Sequence, residues 1–221
     1  MICLVTDCRR VSAGPDATAR LVELVASAAR AGVDLIQVRE RDLDTRSLLA
    51  LVRQCLDAAQ GTGARVLVND RADVALAAGA QGVHLRSDSI SAAKVRTLLP
   101  DGAIVGRSIH SAEEAEAAAR EGATDYLIFG TLFETASKSP YPRLATLDEL
   151  TEVCRAAAGL PVLAIGGMNI DRAALVRRAG AAGVAGIGLF IPPDATREPD
   201  RHLHDLVVGV RRSFDTFQAV S

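Results

Sequence analysis

Short apolar runs rich in β-branched residues recur along the chain, and each is followed by a stretch with helical spacing of its apolar positions. The runs cover residues 2–6, 34–39, 65–69, 82–85, 103–108, 125–129, 161–166 and 183–188. These eight are spaced by roughly 20 to 35 residues, the size of one strand-plus-helix unit. In the segment 45–60, Leu48, Leu51, Val52, Cys55 and Leu56 fall on one helical face. Ser111 with Glu114 and Thr146 with Glu149 each put a hydroxyl three residues before a glutamate, the pattern of a helix-starting capping box. Gly32, Gly79, Gly122 and Gly180 follow Ala or Glu at the ends of four periodic stretches, where glycine terminates a helix most easily.

The apolar runs are nearly continuous rather than alternating. Strands of that kind are covered on both faces, as in a parallel sheet. Eight such units in 221 residues predict a (β/α)8 TIM barrel forming a single domain over residues 1–221. The competing architecture is an open, doubly wound α/β sheet. Its first strand should lead into a glycine-rich turn, and "VTDCRR" at residues 5–10 has no glycine.

Composition narrows the function classes. A formal net charge of −2 without a basic block argues against nucleic acid as a partner, and 3% aromatic residues with no Trp supply no base-stacking platform. No apolar run approaches the ~20 residues of a membrane-spanning helix. The N-terminus has no basic leader, and Cys3, Cys8, Cys55 and Cys154 form no C-x-x-C pair. The expectation is a cytoplasmic protein with reduced thiols, acting on small molecules, its capacity for homo-oligomer formation left open.

In a barrel of this kind chemistry sits at the C-terminal ends of the strands. "AIGGMN" (164–169) and "AGIGLF" (185–190) end the last two runs, and their Gly166, Gly167 and Gly188 would let backbone N–H groups approach a phosphate. Arg39, Arg41, Arg71, Arg86, Arg107 and Lys138 cluster at the same rim and suit a second anionic group. Asn69-Asp70 and Asp88 follow the third and fourth runs, where two carboxylates could hold Mg2+ beside a diphosphate. His84 reads as a hydrogen-bonded structural histidine, and His110 as the better placed for proton transfer. The stretch "YLIFGTLFETASKSPYPR" (126–143) adds Thr131, Glu134, Thr135 and Ser137, with Pro140 and Pro142 stiffening the loop.

Five motifs give the chain a resemblance to the thiamine phosphate synthase/TenI family: "QVRERD" (37–42), "VNDRADVALAAGAQGVHL" (68–85), "VGRSIHSAEEAEAAAREGATDYLIFGTLFET" (105–135), "SK" (137–138) and "PVLAIGGMN" (161–169). Synthase members join a pyrimidine pyrophosphate to a thiazole phosphate, with Mg2+ on the leaving diphosphate. The resemblance implies that Gln37, Arg39, Asn69 and Lys138 contact the pyrimidine or its diphosphate. Arg41 takes the place of the family's lysine, Ser108 lines the pocket near the diphosphate, and Asp70 ligates Mg2+. It also implies that Thr135, Ser137, Gly167 and Gly188 hold the thiazole phosphate.

Two positions depart from the family. After the fourth run the synthase pattern ends in a second Mg2+ ligand, but "HLRSDS" (84–89) has Ser89 there, with Asp88 one residue off and Arg86 in place of a glycine. The TenI tautomerase uses a histidine in the stretch where this chain has Thr131. On this reading the chain resembles the TenI branch more closely and is expected to act as a thiazole tautomerase, with proton transfer by His110 or Glu134 and Lys138 as a further catalytic candidate. The alternatives are an active synthase, in which Asp88 replaces the displaced acid, and a non-catalytic thiazole or thiamine phosphate binder with a regulatory role.

Overall fold

A computed structural model describes residues 1–135, 143–191 and 199–215. Its eight parallel strands close into a barrel in sequence order. They are β1 Ile2–Val5, β2 Leu35–Val38, β3 Arg65–Asn69, β4 Gly82–Leu85, β5 Ile104–Ile109, β6 Tyr126–Phe129, β7 Val162–Ile165 and β8 Gly183–Gly186. The helices around them are α1 Cys8–Val11, α2 Ala17–Ala31, α3 Thr45–Ala59, α4 Ala72–Ala78, α5 Ala92–Arg96, α6 Ala112–Glu121, α7 Leu147–Ala156, α8 Ile170–Arg178 and α9 Pro199–Asp215. Each expected strand run contains most or all of one observed strand, so the (β/α)8 expectation stands and the open sheet does not.

The alternation of side chains along each strand divides the core in two. Ile2, Leu4, Ile36, Val66, Val83 and Leu127 face outward and pack under the helices. Cys3, Leu35, Leu67, Tyr126, Leu163 and Ala185 face inward and plug the barrel. One inward step further along, the side chains turn polar: Gln37 on β2, Asn69 on β3, His84 on β4 and Ser108 on β5. The sequence thus seals the barrel below with apolar groups and floors a site above them.

Local signals explain where helices begin. Thr146 and Glu149 make both bonds of a capping box at α7. Ser111 caps α6, but Glu114 accepts from the backbone N–H of His110 (2.7 Å) instead of completing the box on Ser111. The four cysteines are free thiols, with Cys3 and Cys55 buried. Among the described residues no helix is long and apolar enough to cross a membrane.

Candidate active site

A cavity of about 530 Å³ opens at the C-terminal ends of the strands. Its floor is built from Gln37, Asn69, His84 and Ser108 beside Val5, Ile128 and Ile165. Gln37 Nε2 donates to Asn69 Oδ1 at 2.8 Å, which fixes both amides and leaves each a free edge. His84 is fully buried, with Nδ1 2.9 Å from the Tyr126 hydroxyl and Nε2 2.9 Å from Ser108 Oγ. Burial, and then the positive charge of Arg39, push its pKa down from 6.5 to about 3, so the ring is neutral at physiological pH. His84 is the hydrogen-bonded structural histidine that its position on a short strand suggested.

Arg39 and Arg41 flank the β2 side of the mouth. The chain leaving β2 is braced from below. The Arg39 backbone N–H donates to Thr6 Oγ1 (2.9 Å), and the Thr6 hydroxyl donates to Glu40 Oε1 (2.6 Å). Glu40 also accepts from the Cys8 N–H at 3.0 Å, and burial raises its carboxyl pKa. A side cavity of about 240 Å³ adjoins this edge and brings Asp70, Arg71 and Arg86 to Arg41 and Asn69. Arg71 is already committed to Asp73, 2.7 Å away.

Asp70 holds φ at 59°, in the left-handed region that aspartate tolerates better than most residues. Its carboxylate accepts from the Ser89 hydroxyl and lies 3.9 Å from the Arg86 guanidinium. Asp88 is exposed, pairs with Arg86, and lines neither cavity. The group at Asp70 is therefore one carboxylate, one hydroxyl and one guanidinium. No cluster of three potential metal-ligating residues occurs among the described residues. A guanidinium beside the single carboxylate opposes a dication electrostatically, so the donor set does not fit a two-carboxylate Mg2+ site. Arg107 also departs from its expected place on the rim. Its guanidinium donates to the carbonyls of Ser87, Ser89 and Ile90 at 3.1 to 3.2 Å, which ties down the loop after β4.

Across the mouth, the loops after β6 and β7 pack backbone against backbone. Leu132 N–H donates to Ile165 O (3.0 Å), and Phe133 N–H to Gly166 O (3.2 Å). A Cβ at Gly167 would come within 2.4 Å of Glu134 O, and this residue has φ +59°. Gly188 carries no side chain where the Arg10 guanidinium approaches, 3.2 Å from where a Cβ would be. Gly166, Gly167, Gly188, Thr131 and Thr135 all line the cavity with Arg10. His110 and Glu134, both exposed, stand at its rim. Ser137, Lys138, Pro140 and Pro142 lie outside the described residues.

Two contributors escaped the sequence reading. Arg10 sits on the four-residue α1, too short to show a helical period. Arg172, in the first turn of α8, donates to Gly167 O and stacks over the Phe133 ring, 4.6 Å from its centroid. It thereby clamps the β6 and β7 loops together. An arginine three residues after Asn169 reads in sequence as an ordinary surface residue. The signal that could have found both is their closeness to the ends of β1 and β7.

The cavity therefore gathers an arginine edge and a glycine-cleared edge around an uncharged floor, with Asp7 and Glu134 also in its wall. The arginine edge lies by β2 and β3, and the glycine-cleared edge with Arg10 by β7, β8 and α1. Guanidinium groups and cleared backbone of this kind are means by which a protein binds anionic groups.

The profile of a family described as thiamine monophosphate synthase matches residues 2–190. The chain is 44% identical over 181 residues to a thiamine-phosphate synthase of Roseiflexus castenholzii, spanning 80% of this chain and 78% of that one. It is 38% identical over 192 residues to a thiamine-phosphate synthase of Methanoculleus marisnigri, spanning 86% and 89%. Among solved structures, thiamine phosphate pyrophosphorylase from Pyrococcus furiosus superposes with a TM-score of 0.78 at 29% identity, over 96% of each chain.

Proposed function

The chain belongs to the thiamine monophosphate synthase family, and on that premise we propose that it joins a pyrimidine diphosphate to a thiazole phosphate, releasing diphosphate and forming thiamine phosphate. The observation that carries this reading is the two-ended cavity: one substrate's anion meets Arg39 and Arg41, the other meets Gly167, Gly188 and Arg10. In the reaction the bond between the pyrimidine methylene and the diphosphate oxygen breaks, and the electron pair leaves with the diphosphate. The thiazole nitrogen then supplies the pair that forms the new C–N bond. No proton need be removed for either event, and the floor suits that, because His84 stays neutral.

The arginine edge offsets the charge that grows on the departing diphosphate, aided by Ser108. The Gln37–Asn69 amide pair reads the edge of the pyrimidine ring. Thr135 completes the thiazole phosphate contacts. Arg86 stands between Asp70 and Asp88, so a guanidinium lies where a second acid would be needed beside Asp70.

The expected tautomerase activity has narrower support. His110 and Glu134 do line the rim, but Thr131 has no useful acid–base chemistry near neutral pH. The relatives' names also favour the joining reaction. Incubation of the purified protein with both substrates should yield thiamine phosphate. Failure to form it, with tautomerisation of the carboxylated thiazole phosphate followed by NMR instead, would return the assignment to the tautomerase. Binding of thiazole phosphate with neither turnover would leave the regulatory binder.

A further inference from the structure

At the barrel's centre His84, Gly106 and Tyr126 lie in one row of paired residues, across β4, β5 and β6. Gly106 is the reason the outer two can touch. A Cβ there would fall 2.2 Å from the Tyr126 ring, so glycine opens a window through which the phenol reaches His84 Nδ1 at 2.9 Å. The other imidazole nitrogen reaches Ser108 Oγ at 2.9 Å, and Ser108 lines the cavity. The result is a continuous Tyr126–His84–Ser108 chain running from the sealed core to the ligand.

Its direction follows from counting protons. A neutral imidazole carries one N–H, so one ring nitrogen donates and the other accepts. Among the described residues the Tyr126 hydroxyl, 1% exposed, has the single hydrogen-bond partner His84 Nδ1. If Nδ1 carried the proton, the phenol O–H would be a buried donor with no acceptor, the costly arrangement. With the phenol donating to Nδ1, every donor is used. Nε2–H then donates to Ser108 Oγ, and the serine's own proton points onward into the cavity.

We propose that Tyr126 and His84 are positioning residues that fix Ser108 as a one-way hydrogen-bond donor to a substrate oxyanion. Resting on the function proposed above, that oxyanion is the diphosphate. The 2.9 Å His84–Ser108 pair resembles a nucleophilic dyad, but its polarity is reversed: a protonated Nε2 cannot take the serine's proton. Ser108 thus serves the departing anion and forms no covalent intermediate.

Two measurements on the full chain decide this. In [15N]histidine-labelled protein at neutral pH, long-range 1H–15N spectra should show His84 as the Nε2–H tautomer, with His84→Gln supplying the assignment. An Nδ1–H signal would overturn the relay. Calorimetric titration with inorganic diphosphate should show Tyr126→Phe and Ser108→Ala each weakening binding about tenfold, with the double variant little weaker than either single one. Phenylalanine keeps the ring, so a wild-type melting curve with unchanged affinity in Tyr126→Phe would also count against the proposal. If Tyr126→Phe does not fold, the tautomer in the unaltered protein still decides. If the unaltered protein does not bind diphosphate, the proposed function loses its diphosphate site, while the spectrum independently reports the relay.

Discussion

At the scale of single residues the site rests on groups whose conformation or protonation is forced. Gly167 combines φ +59° with a carbonyl 2.4 Å from where a Cβ would lie. Gly167→Ala should therefore cost roughly 1–3 kcal/mol of stability and weaken thiazole phosphate binding more than tenfold, measured by chemical denaturation and calorimetry. His84 gives a pH signature. The unfolded chain takes up a proton there below about 6.5, the folded chain only near 3. Above 6.5 its contribution is undiminished, and stability falls as pH drops through that window, by roughly 1.4 kcal/mol per unit. Denaturation midpoints between pH 6 and pH 4 should fall more steeply in the wild type than in His84→Gln, and parallel curves would remove His84 from the account. Gln37, Asn69 and Ser108 were legible as residues near the C-terminal ends of apolar runs, and their roles came from the family resemblance. Arg107 was misjudged because a guanidinium that binds backbone carbonyls and one that faces solvent leave the same letter in the chain.

At the scale of elements, caps and loops divide stability from function. Thr146 and Glu149 hold α7 by a reciprocal capping box. Thr146→Ala should cost about 1 kcal/mol in a thermal melt while leaving turnover unchanged, because α7 contributes no residue to the cavity. The loop after β4 is the opposite case. Arg86 and Ser89 there replace a metal-friendly pair with a guanidinium and a hydroxyl around Asp70. The double substitution Arg86→Gly with Ser89→Asp should raise Mg2+ affinity at least tenfold by calorimetry. No change would mean that Asp70 is not the point where cation preference is set. Long elements were legible from their period and caps, and all eight strands fell within a residue or two of the expected runs. The four-residue α1 was not, since so short a turn is fixed by tertiary contacts such as the Cys8 N–H to Glu40 bond. Arg10 was missed along with it.

For the molecule as a whole, the closed barrel turns eight separate strand ends into one mouth. Residues from β2 and β3 and residues from β7 and β8 meet at one rim, although more than 90 positions separate Asn69 from Gly166 in the chain. That gathering sets Arg39 and Arg41 in the same cavity as Gly167 and Gly188. It was legible once the fold was read, because strand order in a (β/α)8 barrel follows sequence order. The reaction was less legible: Thr131 and Ser89 weakened both family patterns, and the relatives' names are what favour the joining reaction. The most direct test follows product and leaving group together. With both substrates present, thiamine phosphate and diphosphate should appear in equal amounts, and neither should form when either substrate is omitted. Proton exchange on the thiazole without any diphosphate release, or no reaction with either substrate bound, would contradict the account.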